Sequence, residues 1–332
     1  MTLTQATAAA DSPDLATDVQ QYAGLKSSGL LQALINTAKA LPTVRMGVVH
    51  PCDAVSLGSA LEARKLGLID PVLIGPQARI EAVATKEGLS LDGIEVIDMP
   101  HSHAAAAKGA ALAAAGEVQA LMKGSLHTDE LMSAILPSAV GLRTKRRVSH
   151  CFIMQVPTYP RPLIITDAAI NIAPDLMVKA DIVQNAIDLA RVLGVSQPKV
   201  ALLAAVETVS AHMQATLDAA VLCKMADRGQ ISGGVLDGPL AFDNAISRAA
   251  ADIKGIRSEV AGEADILVAP DLESANMLAK QLEYLGNAAS AGIVLGAKVP
   301  VVLTSRADPG ISRLASCAVA VILACHYRDN PP

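Results

Sequence analysis

Aromatic residues are nearly missing from this 332-residue chain: it has no Trp, and Phe, Tyr and Trp together make up 2% of it, against 52% hydrophobic residues in all. The core must therefore be built of Ala, Val, Leu and Ile, the composition of buried parallel sheets and their covering helices, so an α/β fold is expected. An excess of positive charge is lacking too. Lys and Arg number 27 against 32 Asp and Glu, a net charge of −5, which removes the electrostatic footprint of a nucleic-acid partner and leaves any anionic ligand to be met by local basic groups. The five cysteines, Cys52, Cys151, Cys223, Cys317 and Cys325, are odd in number and widely spaced, with no C-x-x-C pair. They suggest neither a disulfide framework nor a zinc site, and they fit a reducing, cytoplasmic location. No stretch reaches the ~18 uninterrupted apolar residues of a membrane span, and the first residues carry neither the basic nor the apolar region of a signal peptide, so no membrane partner is expected. No Gly-x-Gly-x-x-Gly opens a helix after a strand, which disfavours a nicotinamide enzyme of the usual Rossmann type.

What is present is alternation. After a loose leader over residues 1–20, the pattern predicts a helix at 30–40, a strand at 46–50, a helix capped by Asp53 and running to 66, strands at 71–74 and 95–98, an Ala-rich helix capped by Ser102, and a strand at 120–123 that runs into Gly124. Beyond a basic stretch at 141–147 the register restarts. Residues 151–156 and 163–166 read as a strand pair, followed by a helix with Pro174 in its first turn, then strands at 199–205, 233–237, 265–269 and 300–304, interleaved with helices at 213–228, 241–253, 273–284 and 312–324. Short connections between alternating elements imply right-handed crossovers and a mostly parallel sheet. A chain of this length favours two domains, with a hinge near 149–151 and a return crossing near Gly292.

In open α/β sheets ligands gather beyond the carboxyl ends of strands, and there this apolar chain turns polar. Lys123, Gly124, Ser125, His127 and Thr128 follow the strand at 120–123: Gly lets the backbone approach an anion, Lys supplies charge, and the hydroxyls donate hydrogen bonds. That set suits phosphate, although an ordinary capped helix start has the same look and the full P-loop pattern is absent. Thr304, Ser305, Arg306 and Asp308 follow the strand at 300–304 and place a hydroxyl, a guanidinium and a carboxylate together. Arg suits phosphate or an oxyanion and Asp can orient it or accept a proton; the alternative is a capped turn with a surface ion pair. Asp167 with Asn171, and Asp237, stand at further strand ends, where Asx-turn chemistry is the commoner use. Arg143, Arg146 and Arg147 concentrate charge near the hinge, either as a solvated run or as a site for an anionic ligand. His101 and His103 lack neighbouring ligands and read as helix-start residues, not a metal pair.

The segments 122–128 (Met-Lys-Gly-Ser-Leu-His-Thr), 148–150 (Val-Ser-His), 166–174, 198–207, 237–243, 260–267 and 300–308 (Pro-Val-Val-Leu-Thr-Ser-Arg-Ala-Asp) together resemble the phosphate acetyl/butyryltransferase family, in its order and over about residues 45–325. The wording is closer to phosphate butyryltransferases and to the transferase half of enoyl-CoA hydratase/phosphate acetyltransferase fusions. The resemblance implies two α/β domains with mostly parallel sheets and a cleft between them, similar to the isocitrate/isopropylmalate dehydrogenase-like fold. It implies a first domain of residues 21–150 plus 292–332 and a second, dimer-forming domain of 151–291. It implies exchange of a short acyl group between coenzyme A and inorganic phosphate in a ternary complex, with CoA as substrate, no permanently bound cofactor, no metal and a homodimer. Its Ser-Arg pair falls on Ser305 and Arg306. Two positions depart from the better-known acetyltransferase branch: an Asp seven residues after that Ser is here Ser312, with Asp308 as the substitute, and an Arg in the helix after the Gly-Ser loop is here about Met132, with Arg143, Arg146 or Arg147 to supply its charge. A metal- and NAD(P)-dependent oxidoreductase of the related fold and a catalytically weakened CoA- or acyl-phosphate-binding protein are the alternatives.

Overall fold

The computed structural model describes residues 29–303 and 307–332; the expected leader over residues 1–20 lies outside them. The first part of the chain runs α1 (Gly29–Lys39), β1 (Val44–Val49), α2 (Ala54–Lys65), β2 (Ile69–Gly75), α3 (Gln77–Glu87), β3 (Glu95–Asp98), α4 (Ser102–Ala114), β4 (Ala120–Lys123) and α5 (Thr128–Ile135), with a 3-10 turn at Ser138–Val140. Then follow β5 (Ser149–Gln155), β6 (Leu163–Thr166), α6 (Leu176–Val192), β7 (Lys199–Leu203), α7 (Gln214–Asp227), β8 (Val235–Leu240), α8 (Phe242–Ile246), α9 (Arg248–Ile253), β9 (Ile266–Val268), α10 (Leu272–Tyr284), β10 (Ala289–Leu295), β11 (Val301–Val302) and α11 (Gly310–Asp329).

Among the described residues, eleven strands join one sheet in the order β3-β2-β1-β4-β11-β10-β5-β6-β9-β7-β8. β1, β2, β3, β4 and β11 are parallel, as are β6, β9, β7 and β8. Between the two sets, β10 runs antiparallel to both β11 and β5, and β5 antiparallel to β6. The sheet is therefore mixed but mostly parallel, as the alternation implies. Its carboxyl ends at β1, β4 and β11 open on one edge. The expected hinge falls within β5, and Gly292 lies inside β10, paired with Phe152.

Helices α1, α2, α3, α6, α7 and α11 cover one face in a single apolar cluster, while α4 with α5, and α8 to α10, cover two separate parts of the other. The scarcity of aromatics shows in how closely they lie. A Cβ on Gly109 of α4 would stand 2.9 Å from Val49, and the neighbouring core positions of that helix are Ala105, Ala106, Ala110 and Ala113. Helix α11 has the length and composition of a membrane-crossing helix, yet 72% of its apolar window is buried inside the fold.

Several boundaries differ from the expectations for local reasons. The cap of α4 is His101, whose Nδ1 accepts from Ala104 N, and Ser102 is the first helical residue. Helix α6 starts after Pro174, with Asp175 as its N-cap. The expected helix over 241–253 is two, divided at Ser247, whose hydroxyl caps α9 through Ala250 N. Strand β8 begins two residues late and runs through Leu240, and β10 was not anticipated as a strand. Asp53 caps α2 as expected, accepting from Ser56 N.

Candidate active site

Three adjacent parallel strands build the site's frame. Val49 is paired with Lys123 across β1 and β4, and Val302 with Met122 across β11 and β4, so the chain leaves β1, β4 and β11 side by side. The Lys123 loop is tied back onto β1. Gly124 N donates to Val49 O at 2.8 Å and Ser125 N to His50 O at 2.9 Å. The Ser125 hydroxyl donates to His50 O at 3.0 Å and accepts from Cys52 N at 3.3 Å. The Lys123 ammonium turns over its own loop, donating to Gly124 O and, at 3.0 Å, to Leu126 O. Helix α5 then starts at Thr128 with an exposed His127 at its N-cap. Among the described residues no side chain caps that start, and the N-terminal end of a helix favours anions.

His50 was not singled out from the sequence. It stands at the end of β1 with φ 53°, is 5% exposed, and its Nδ1 lies 3.2 Å from both the carbonyl oxygen and the hydroxyl of Ser125. Burial pushes its pKa down, against the opposing hydrogen bond to Ser125, so the ring is neutral near pH 7. Beside it burial pushes the Cys52 thiol up, which argues against a resident thiolate. Across the same edge, Glu130 of α5 lies 3.3 Å from His103 Nδ1.

Thr304, Ser305 and Arg306 lie outside the described residues. Their flanks are Leu303, one residue past β11, and Ala307. Asp308 is half-buried; its carbonyl accepts from Arg313, whose Nε also donates to Ser59 Oγ of α2 at 2.6 Å. Lys280 of α10, which feels the Asp308 charge, is held above its usual pKa. Burial works against that shift, but the Glu283 hydrogen bond and charge and the Asp308 field overcome it. The ammonium sits 5.7 Å from the Phe152 ring centroid.

The other expected residues are placed elsewhere. Val294 shares the row of Leu121 through Val301, while Arg143 pairs with Ala297, three residues further from the Lys123 end. Arg143 is therefore placed past the end of β10 that points away from the Lys123 loop. It donates to Ser138 Oγ, Arg146 pairs with Asp188, and Arg147 N donates to Asp181. The structure does not bring this basic run to the Lys123 loop. Met132, where the charge would be missing, is 5% exposed and packs in the apolar cluster under α4 and α5. Asp167 is spent on its own turn: Oδ1 accepts from His150, Ala169 and Ile170 N, and Oδ2 from the backbone and side chain of Asn171, which also donates to Val148 O. Burial raises the Asp167 pKa and these bonds lower it. Asp237 stands on the edge strand β8, seven strand positions from β4, and accepts from Gly238 N. Among the described residues no group of three or more His, Cys, Asp or Glu could hold a metal.

Comparison with known proteins adds independent findings. The sequence profile of the phosphate acetyl/butaryl transferase family matches residues 102–321. The phosphate acetyltransferase of Rhizobium meliloti is 60% identical over 89% of this chain and 93% of its own length. The phosphate butyryltransferase of Clostridium acetobutylicum is 39% identical over 88% of this chain and 97% of its own. Among solved structures, a branched-chain phosphotransacylase from Enterococcus faecalis V583 superposes with a TM-score of 0.75 at 28% identity, covering 85% of this chain and 99% of that one.

Proposed function

Because the chain belongs to the phosphate acetyl/butyryltransferase family, we propose that it exchanges an acetyl group between coenzyme A and inorganic phosphate, in a cleft whose floor is the carboxyl edge of β1, β4 and β11. The choice of acetyl over butyryl rests on the higher identity to the acetyltransferase relative than to the butyryltransferase one. The observation that carries the site is the pairing of Val302 with Met122, because it starts the segment containing Ser305 and Arg306 from the strand beside Lys123.

In this reading phosphate is held by the loop from Lys123 to Thr128 and by Arg306. It attacks the thioester carbonyl, and Ser305 and backbone N–H groups bind the oxyanion as it forms. Asp308, two residues after Arg306, orients its guanidinium by charge. Holding both substrates in one ternary complex supplies much of the rate by proximity, with no acyl-enzyme intermediate and no permanently bound cofactor. The parts on either side of the β10–β5 ladder act as two lobes, residues 21–150 with 292–332 and residues 151–291. Two copies associate through the second lobe in the cytoplasm. The nine exposed large apolar side chains of the described residues all fall in that second lobe, from Ile172 to Leu285, which supports this contact.

The test is a thiol-release assay with phosphate, or arsenate in its place, across acetyl-, propionyl-, butyryl- and longer acyl-CoA esters. Phosphate-dependent release fastest with acetyl-CoA is expected. No release from any ester would refute the reading, and a maximum at butyryl-CoA would refute the acetyl assignment alone.

A further inference from the structure

The acyl-transfer reading needs a group to take the proton of the CoA thiol when acyl phosphate is the donor, and the position that is Asp in the better-known branch is Ser312, 5% exposed in the first turn of α11. His50 has the orientation for that task. The Ser125 hydroxyl has a single proton, which it donates to His50 O. Toward the imidazole it can only accept, and the Ser125 carbonyl, also 3.2 Å from Nδ1, can only accept as well. Nδ1 therefore carries the hydrogen, and the lone pair is on Nε2, which has no hydrogen-bond partner among the described residues. A base whose second nitrogen is pinned by a backbone carbonyl is the arrangement that fixes tautomer and ring angle for proton transfer. The backbone reinforces it: His50 is held at φ 53°, its N–H donates to Ile74 O at 2.7 Å, and its carbonyl anchors the Ser125 loop.

We infer that His50 is the general base of this enzyme, accepting the CoA thiol proton on Nε2; the inference rests on the acyl-transfer reading above. The S–H bond breaks and the Nε2–H bond forms. Sulfur attacks the carbonyl carbon of the acyl phosphate, the C–S bond forms, and the bond from that carbon to the phosphate oxygen breaks. The departing phosphate takes the proton back from His50, so CoA thiol plus acyl phosphate gives acyl-CoA plus hydrogen phosphate, and the ring returns neutral. The charged and titratable groups around the ring are Arg79 of α3, which disfavours its protonation, and Glu130 of α5 and Asp53 before α2, which favour it. Burial is the largest influence and keeps the ring unprotonated at neutral pH. Asp308, the other candidate, bears on Lys280 of α10, whose pKa its charge helps to raise.

The test is His50→Asn in the full-length chain. Asn tolerates the left-handed backbone of this position, and its amide can replace Nδ1–H against Ser125 O, so the loop is retained and the base is removed. With acetyl phosphate and CoA, kcat should fall about 100-fold or more while KM for acetyl phosphate moves little, and the acidic limb of the kcat–pH profile should vanish. A His50→Ala variant should recover rate with added imidazole, in proportion to the neutral form, which guards against a variant that merely misfolds. A His50→Asn enzyme with near-normal kcat, or one with reduced kcat but an unchanged acidic limb, or a His50→Ala enzyme that folds and ignores imidazole, overturns the inference. If the wild-type protein releases no thiol in a phosphate-dependent way, the acyl-transfer reading falls and this inference with it; a fully active wild type and variant sink His50 alone.

Discussion

Gly124 lies so close to the end of β1 that a Cβ on it would stand 2.5 Å from the carbonyl oxygens of both Val49 and His50. Those are backbone atoms of a buried central strand and cannot retreat, so the loop carrying Lys123 and Ser125 can sit on β1 only if this residue has no side chain. Gly124→Ala should lift the loop off the strand, break the Ser125 contacts to His50, cost about 1–3 kcal/mol of stability, and lower acyl-transfer activity more than the same loss of stability does elsewhere. Urea unfolding and thiol release on the same preparation separate the two effects. An alanine variant with normal activity would show that the loop's seat on β1 is dispensable.

Ser305→Ala and Arg306→Ala should each reduce kcat on the order of 100-fold or more, the usual effect of removing one group that binds the developing oxyanion. A group that binds the developing oxyanion acts on the transition state and not on the fold, so thermal unfolding of both variants should match that of the wild type. Thiol release from acetyl-CoA with phosphate is the measurement, and an Arg306→Ala enzyme near wild-type activity would remove Arg306 from the chemistry.

Most of the frame was legible because it is local. The strand at 95–98, the strand at 120–123 and the Asp53 cap follow from apolar runs and capping residues that need no tertiary partner. What escaped depends on distant parts of the chain. Strand β10 reads as small residues and a glycine, and is a strand because Gly292 pairs with Phe152 and donates to Ser316 of α11. The basic run at Arg143 looked available to the cleft, but its bridge to Ala297 ties it to the turn between β10 and β11, at the opposite sheet edge. His50 was visible as a polar residue ending a strand; nothing in sequence shows that Ser125, 75 positions later, orients its ring.

Lys179 of α6 and Asp218 of α7 form an ion pair at 2.6 Å with side chains 9% and 8% exposed, beside Leu202 and Val268 at the carboxyl ends of β7 and β9. Asp218 also accepts from Gln214 Nε2 at 2.8 Å. Removing one partner leaves a buried charge uncompensated, so Lys179→Met or Asp218→Leu alone should cost about 3–5 kcal/mol, whereas the double replacement should be close to neutral. Urea denaturation of the two single variants and the double variant measures the coupling. Strictly additive losses would mean that water screens the pair.

His150 supplies the clearest pH dependence. Its ring is 1% exposed, lies edge-on to Phe152 at a centroid distance of 4.5 Å, and leaves Nδ1 buried without a hydrogen-bond partner. Burial first, and the charge of Lys280 second, push its pKa from 6.5 down to about 3. Below pH 6.5 the unfolded chain therefore binds a proton that the folded ring refuses, so the stability supplied by this group is present above its unfolded pKa and is lost as pH falls toward the folded value. The loss should reach about 2 kcal/mol by pH ~5. Burial raises the pKa of Asp167 and Asp265, so their contributions have the opposite sign; they are common to wild type and variant and cancel in the difference. His150→Phe, which keeps an aromatic ring against Phe152 and removes the titrating nitrogen, should flatten the fall in stability between pH 6.5 and about 5. Equal slopes for the two proteins across that window would mean that the folded ring takes up its proton as readily as the unfolded one, and that water reaches Nδ1.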